Sequence, residues 1–186
     1  MSTLYVDSIQ PKTTGSQLTI APAIQTGAVL QMPFTQYTST TTVSTSANTN
    51  HTVDVLSVNI TPKSTSSIIR LDAHIFHEWG HISSPWDSMW FFYRDSTKLA
   101  HTQVGSRRSG ITTSLISFTT PEAGSTGEAA NYSYFDSPNT TSQITYKVGV
   151  INQQNTSLYI NRTAADLDGV DYERGLSFIS ATEIGG

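Results

Sequence analysis

Short stretches rich in Val, Ile, Thr, Phe and Tyr recur between turn residues, and this pattern constrains the fold more than any other feature of the sequence. The apolar period of about 3.6 residues that marks an amphipathic helix is missing throughout. Strands at this spacing, without intervening helices, predict an all-β antiparallel sandwich of the jelly-roll kind. The predicted strands are Ala28–Tyr37, Thr52–Ile60, Ile68–Trp79, Met89–Arg94, Ile111–Thr119, Ala129–Phe135, Gln143–Val150, Leu158–Asn161 and Leu176–Ile184.

The segment Ile68–Trp79 alternates most clearly between apolar and polar residues. Because successive side chains of a strand point to opposite faces, this alternation predicts one buried and one solvated face. The predicted buried set is Ile69, Leu71, Ala73 and Ile75, and the predicted solvated set is Arg70, Asp72, His74 and Glu78. The Thr-rich stretch Thr38–Asn50 is interpreted as a polar strand end and loop, since Thr has high β propensity.

The first twenty residues contain two short strand patterns separated by the turn Pro11–Gly15. Two strands this short do not bury enough apolar surface to be stable alone in water. They must therefore pack on the rest of the chain, on a second copy or on a larger particle. The sequence thus predicts an extended N-terminal attachment arm with its linker at 1–27 and a sandwich head at 28–186. The arm's contact residues are predicted to be Leu4, Tyr5, Val6, Ile9, Leu18 and Ile20.

Charged residues make up only 13% of the 186 residues, well below the roughly 25% of ordinary globular domains. Such a surface is polar with few charges to desolvate, which suits close packing beside identical copies. The net charge of −4 and the absence of a Lys/Arg run argue against a nucleic-acid partner. The sequence has no Cys and no apolar run near the ~18 residues of a membrane span, so neither a disulfide nor membrane insertion is expected.

One stretch, His77-Glu78-Trp79-Gly80-His81, matches the H-E-x-x-H pattern of zinc proteases. That chemistry needs a helix, because only a helical turn brings both imidazoles to one metal. The alternating residues before the pattern predict a strand instead, on which the two imidazoles would lie roughly 13 Å apart. We therefore expect no catalytic site and no cofactor, and we interpret the histidines as polar strand-face residues. A metal site shared between subunits by His74, His77 and His81 is the alternative.

Asp166–Glu173 has the carboxylate density of a calcium loop, but its Gly does not fall at the sixth position that an EF-hand requires. An Asx-rich turn is the preferred interpretation, and ion binding by Asp166, Asp168 and Asp171 is the alternative.

The aromatic stretch Trp90–Tyr93 is predicted to place Trp90 and Phe92 on one face and Phe91 and Tyr93 on the other. One pair should be core, and the other should be covered by a second sheet or a neighbouring subunit.

Three residues are candidates for contact with a receptor. Trp86, in the loop Gly80–Asp87, would stack on a sugar, and Arg107 and Arg108, in the loop Gly105–Gly110, would bind an anionic sugar or a neighbouring carboxylate. A third loop, Pro121–Gly127, is expected beside them.

Three motifs resemble small structural proteins of tailed bacteriophages, especially marine phages. They are Leu4–Gly15 (LYVDSIQPKTTG), Phe91–Thr97 (FFYRDST, with Ser96 where Gly is usual) and Tyr172–Ile184 (YERGLSFISATEI). The resemblance implies a non-enzymatic virion protein: a homotrimeric head fibre, tail fibre or capsid decoration protein. Its arm would bind capsid or tail proteins, and its head would contact a glycan or protein of the host surface. The alternatives are a tail-tip receptor-binding protein, a sugar-binding sandwich domain and, least favoured, a zinc hydrolase.

Overall fold

A computed structural model describes residues 27–80, 87–114 and 124–186, which form eleven β-strands and no helix. Within those ranges no helix is present that would be long and apolar enough to cross a membrane. The all-β prediction is therefore confirmed. The strands are β1 (Val29–Gln31), β2 (Phe34–Tyr37), β3 (Thr41–Thr45), β4 (His51–Ile60), β5 (Ile68–Trp79), β6 (Met89–Arg94), β7 (Thr97–Leu99), β8 (Glu128–Asp136), β9 (Ile144–Ile151), β10 (Thr156–Ile160) and β11 (Ser177–Ile184).

The strands form two antiparallel sheets that pack face to face, which confirms the predicted sandwich. In the described part of the chain, sheet A contains seven strands and sheet B contains four, in the order β4-β9-β6-β7. From β3 onward the chain crosses from one sheet to the other at most connections, as jelly-roll chains do.

Strand β5 is the centre of sheet A. On one side β11 pairs with Ile68–His74 and β10 pairs with His77–Trp79, while β8 pairs with Ile69–His77. Because His77 pairs with both β10 and β8, these two strands lie on opposite sides of β5, and β10 continues the line of β11. Strands β1 and β2 pair with β11 and β3 pairs with β10, so the chain from 29 to 45 forms one long sheet edge.

The core lies between the two sheets, and the predicted alternation of β5 is correct. Its predicted buried set, Ile69, Leu71, Ala73 and Ile75, is at most 4% exposed. Opposite β5, sheet B contributes Trp90, Phe92, Tyr146, Val148 and Val150, all fully buried. On the other face of β5, Glu78 differs from the prediction: it is buried because the loop after β10 covers it, and its carboxylate accepts a hydrogen bond from the Ala164 N–H at 2.8 Å.

Phe91, from the second aromatic pair, is covered differently from the prediction. Trp90 and Phe92 belong to the core as expected, whereas Phe91 is buried on the outer side of sheet B by neighbours in its own sheet. Its ring lies over Gly149 of β9, where a Cβ atom would overlap it, and the Lys98 ammonium sits 4.0 Å from the ring centroid. A second sheet or subunit is therefore not needed to bury Phe91.

Strand boundaries differ from the predictions at three places. The predicted strand Ala28–Tyr37 is interrupted at Met32-Pro33, because proline has no N–H to donate to a ladder. Thr41–Thr45, within the stretch interpreted as strand end and loop, forms the complete strand β3. In the predicted strand Ile111–Thr119, the residues 111–114 make only an isolated bridge from Thr112 to Trp90, and 115–119 lie outside the described ranges.

The strand ends define two opposite ends of the sandwich. The end at Ile68, which we call the entry end, carries Gly27, the loops 61–67, 95–96 and 137–143, and the last residues 185–186. Gly27 donates its N–H to the Gly185 carbonyl at 2.6 Å, so the chain enters the head there. The end at Trp79, which we call the loop end, carries the connections 46–50, 100–114, 124–127, 152–155 and 161–176, as well as Gly80.

Candidate functional site

The loop end brings together parts of all three loops that the sequence marked for receptor contact. The 100–114 connection meets the 46–50 loop, where Arg108 donates two hydrogen bonds to the Asn48 side-chain oxygen at 3.0 and 2.8 Å. The 124–127 segment meets the 161–176 loop, where Ala165 donates to the Gly124 carbonyl at 2.8 Å. Hydrogen bonds thus hold these loops together in pairs, and we call the loops of this end the rim.

The two predicted arginines have different environments on this rim. Arg108 is half-buried and fixed to Asn48, so its guanidinium is occupied within the chain. Arg107 is exposed, and its described hydrogen bonds are to the Val104 carbonyl in its own loop. Arg107 is therefore the arginine with donors left for an external acid. Trp86 lies outside the described residues, as do the arm contacts Leu4, Tyr5, Val6, Ile9, Leu18 and Ile20.

The segment Asp166–Glu173, interpreted from the sequence as an Asx-rich turn, lies within the 161–176 loop. Asp166 adopts a positive φ of 51° and its carboxylate bridges Arg174 at 2.7 Å and Arg162 at 3.6 Å. Asp166 and Arg174 line an open cleft of about 390 Å³ together with Asp168 and Tyr172. Because two guanidinium groups neutralise Asp166, a cation would have to compete with both of them. Among the described residues, no three acidic or His side chains lie together in a way that could hold a metal ion.

The H-E-x-x-H segment lies in strand β5 as far as Trp79, as the alternation predicted. His74 faces outward, where its Nδ1 lies 2.7 Å from the Asn131 side-chain oxygen and its ring stacks on Phe178. His77 faces the core and is fully buried. The two imidazoles therefore lie on opposite faces of one sheet and share no metal, and His81 lies outside the described residues.

Burial of His77 assembles a polar cluster that sequence reasoning missed. Its Nε2 lies 2.8 Å from the Ser114 Oγ, which also accepts the Trp90 indole N–H at 2.8 Å. Its Nδ1 lies 3.9 Å from Glu128 Oε2, and neither of these two atoms has a hydrogen-bond partner among the described residues. We call His77, Ser114 and Glu128 the buried triad. The partners are 37 and 51 residues from His77, so no local spacing signals them.

Burial governs the protonation of the triad. Loss of water lowers the pKa of His77 to about 3, so the imidazole is neutral near pH 7. Loss of water, together with the nearby Glu78 carboxylate, raises the pKa of Glu128 to about 7. The cluster therefore holds a neutral His beside a carboxyl group that is about half protonated at neutral pH.

The entry end also contains a buried carboxylate, Glu183, from the predicted closing motif. Glu183 is fully buried, and its Oε1 accepts hydrogen bonds from the Lys63 N–H and the Ser67 hydroxyl, each at 2.6 Å. Its Oε2 accepts the Gln31 side-chain amide at 2.6 Å. Glu183 thus ties β1 and the loop before β5 to β11, next to the point where the chain enters the head.

No protein-family model matches this sequence, and no curated protein is similar to it. The features that bear on function are therefore those of the chain itself: the two opposite ends, the buried triad and the exposed face of sheet A.

Proposed function

We propose that this protein is a non-enzymatic phage virion protein, a short trimeric fibre or capsid decoration protein. In this proposal residues 1–27 anchor it to the capsid or tail, and the sandwich is presented to the surroundings. The observation that carries the proposal is the separation of the two ends. Gly27 enters at one end of β5, and Arg107 and the other rim loops lie at the opposite end, roughly 36 Å away along the strand. An anchor and a contact surface need this separation to act at the same time.

The head would act through many weak contacts. An arm such as Leu4–Ile20 would pair with virion proteins through backbone hydrogen bonds and small apolar contacts. The rim loops would touch a host glycan or protein, with Arg107 as the cationic group for an acidic sugar. Binding that is weak for one head would be strengthened by the number of heads on a particle. A decoration protein is favoured over a tail-tip receptor-binding protein because no shaft sequence separates arm and head.

The proposal is tested by locating the protein on the particle whose genome encodes it. We expect cryo-electron microscopy and gold labelling with an antibody to the head to find it at regular capsid or tail positions. A variant lacking residues 1–26 should keep the folded head but be absent from the particle. Purified particles that lack the protein would refute the proposal, as would particles that retain the truncated variant.

A second candidate function, hydrolysis of an ester, is favoured by the buried triad alone. The hydroxyl of Ser114 lies next to His77, and Glu128 lies on the other side of the imidazole. This is the arrangement of a nucleophile, a general base and an acid that orients the base. Ser114 Oγ would attack the ester carbonyl as its proton passes to His77 Nε2, the alcohol would leave with that proton, and water would then release the acid. Against it, Ser114 is buried and its Oγ also accepts the Trp90 N–H.

Hydrolysis of p-nitrophenyl acetate by the wild type and by Ser114→Ala separates the two functions. If the chain is a non-enzymatic virion protein, the wild type and Ser114→Ala should hydrolyse the ester at equal rates. A wild-type rate at least tenfold above that of Ser114→Ala would favour the hydrolase.

A further inference from the structure

The outer face of sheet A carries large exposed apolar side chains. Val29, Phe34 and Phe135 are 64%, 63% and 61% exposed, and Ile68 and Phe178 are partly exposed beside them. Strand register puts all five on one surface: Phe34 is level with Ser180 and Asp72, Phe178 with His74, and Val29 with Ile184 and Ile68. Five such residues on one sheet face exceed the scattered single apolar residues of an ordinary surface.

The outer face of sheet B is different in character. Lys147 pairs with Asp54 at 3.3 Å, and the Thr145 hydroxyl donates to the Asn59 side chain at 2.7 Å. Two aromatic residues lie on this face: Phe91 is covered by Lys98 and packs over Gly149, and the half-buried Tyr93 packs edge-on against Phe91 at 5.3 Å. The polar outer face of sheet B is therefore stable in contact with water. On the outer face of sheet A, burial of the exposed apolar side chains would lower the free energy of an assembly.

The three most exposed apolar residues of this face lie along the two sides of sheet A, and a polar strip lies between them. Val29 and Phe34 lie on the edge strands β1 and β2, and Phe135 lies on the opposite edge strand β8. Between them Arg70 donates to Asp72 at 2.9 Å, and the Ser133 hydroxyl donates to the same carboxylate oxygen at 2.6 Å. The Arg70 and Asp72 charges thus neutralise each other within one copy, so the strip adds no net charge to the face.

We infer that the outer face of sheet A binds further copies of this chain, arranged in parallel around an axis that runs along the strands. The parallel arrangement rests on the proposed function, because an anchored fibre needs the arms of all copies at the same entry end. Rotation about such an axis brings the Phe34 side of one copy against the Phe135 side of the next. The two residues differ in height by two positions of β5, roughly 7 Å, so they fall within reach of one another.

The size of the face is consistent with a stable association. Four strand positions at about 4.8 Å and nine residues of β5 at about 3.3 Å give a flat area of roughly 550 Å² per copy. Side-chain relief makes the accessible area larger than this projection. Specific complexes bury about 800 Å² per partner, so the projected face is about two thirds of that figure and is shared between two neighbours in a trimer.

The chain has no Cys, so cysteine cross-linking tests the contact directly. The double variant Phe34→Cys/Phe135→Cys, treated with a short bis-maleimide, should give covalent dimers and trimers on a denaturing gel, with nothing larger. Each single variant should give almost none, because two like sides do not meet. Cross-linking that stops at the dimer would assign a two-fold axis to the same face.

Charge repulsion gives an independent measurement. Phe34→Asp and Phe135→Asp should each shift the mass found by light scattering from oligomer to monomer, with circular dichroism unchanged. Val170→Asp, at a fully exposed position of the loop end, is the matched control and should leave the mass unchanged.

The outcomes separate this inference from the proposed function. If both Asp variants remain oligomeric and the double Cys variant does not cross-link, the outer face of sheet A is not the contact between copies. The virion proposal is unaffected by that result. A wild-type protein that is monomeric at tens of micromolar would refute both the contact through sheet A and the proposed trimer. Location on the particle, tested as above, decides the virion proposal in either case.

Discussion

Replacing Glu128 by Gln removes one of two buried titratable groups that oppose each other in the pH dependence of stability. The pKa of Glu128 is raised to about 7, so the folded protein holds this proton more tightly than the unfolded chain. Its contribution to stability is full below about pH 4.5 and is lost as the pH rises through 7. The pKa of His77 is lowered to about 3, so its contribution is full above about pH 6.5 and is lost as the pH falls towards 3.

The two effects cancel over a defined range. Each group changes the free energy of unfolding by about 1.4 kcal/mol per pH unit, with opposite signs, between about pH 4.5 and 6.5. The wild type should therefore show little pH dependence from this pair in that range. Glu128→Gln keeps only the His77 effect, so its free energy of unfolding should gain roughly 3 kcal/mol relative to the wild type between pH 4.5 and 7.

Urea unfolding followed by tryptophan fluorescence at several pH values from 4 to 8 measures this difference. Because every other titrating group is common to both proteins, the difference between the two curves isolates Glu128. His77→Gln is the mirror control: its stability should fall as the pH rises from 4.5 to 7. A difference between wild type and Glu128→Gln that stays constant across this range would refute the assigned protonation of the cluster.

Three further substitutions test the packing and the rim. Gly149→Ala puts a Cβ into the ring of Phe91 and should cost about 1–3 kcal/mol in urea unfolding; an unchanged midpoint would contradict the close packing. Glu183→Gln loses one of the acceptors that hold Gln31 and two other donors, so we expect about 2 kcal/mol of destabilisation by calorimetry, and a neutral result would argue against the network. Arg107→Ala should change stability by less than about 0.5 kcal/mol yet weaken binding of the head to host cells, whereas Arg108→Ala should lower the melting temperature; the reverse pattern would reject Arg107 as the contact.

The H-E-x-x-H segment illustrates why a motif needs its periodicity. The residue types of the segment match the zinc-protease pattern, but the alternation of the preceding residues predicted a strand. Strand β5 indeed continues through Trp79. On that strand His74 and His77 point to opposite faces, so one pairs with Asn131 outside and the other is buried. What the alternation did not indicate is that Ser114 and Glu128 would meet His77, because both are distant in the sequence.

The sequence alone determined the class of fold and most of the strands. Period-two alternation and turn residues are local properties, and they fix which side chains of β5 are buried whatever the strand pairs with. The tertiary structure alone decided which strands are neighbours, that β10 continues β11, and that the chain enters opposite the rim loops. It also decided the environments of His77 and Glu183, since register and sheet packing join residues far apart in the chain, and no local pattern encodes those contacts.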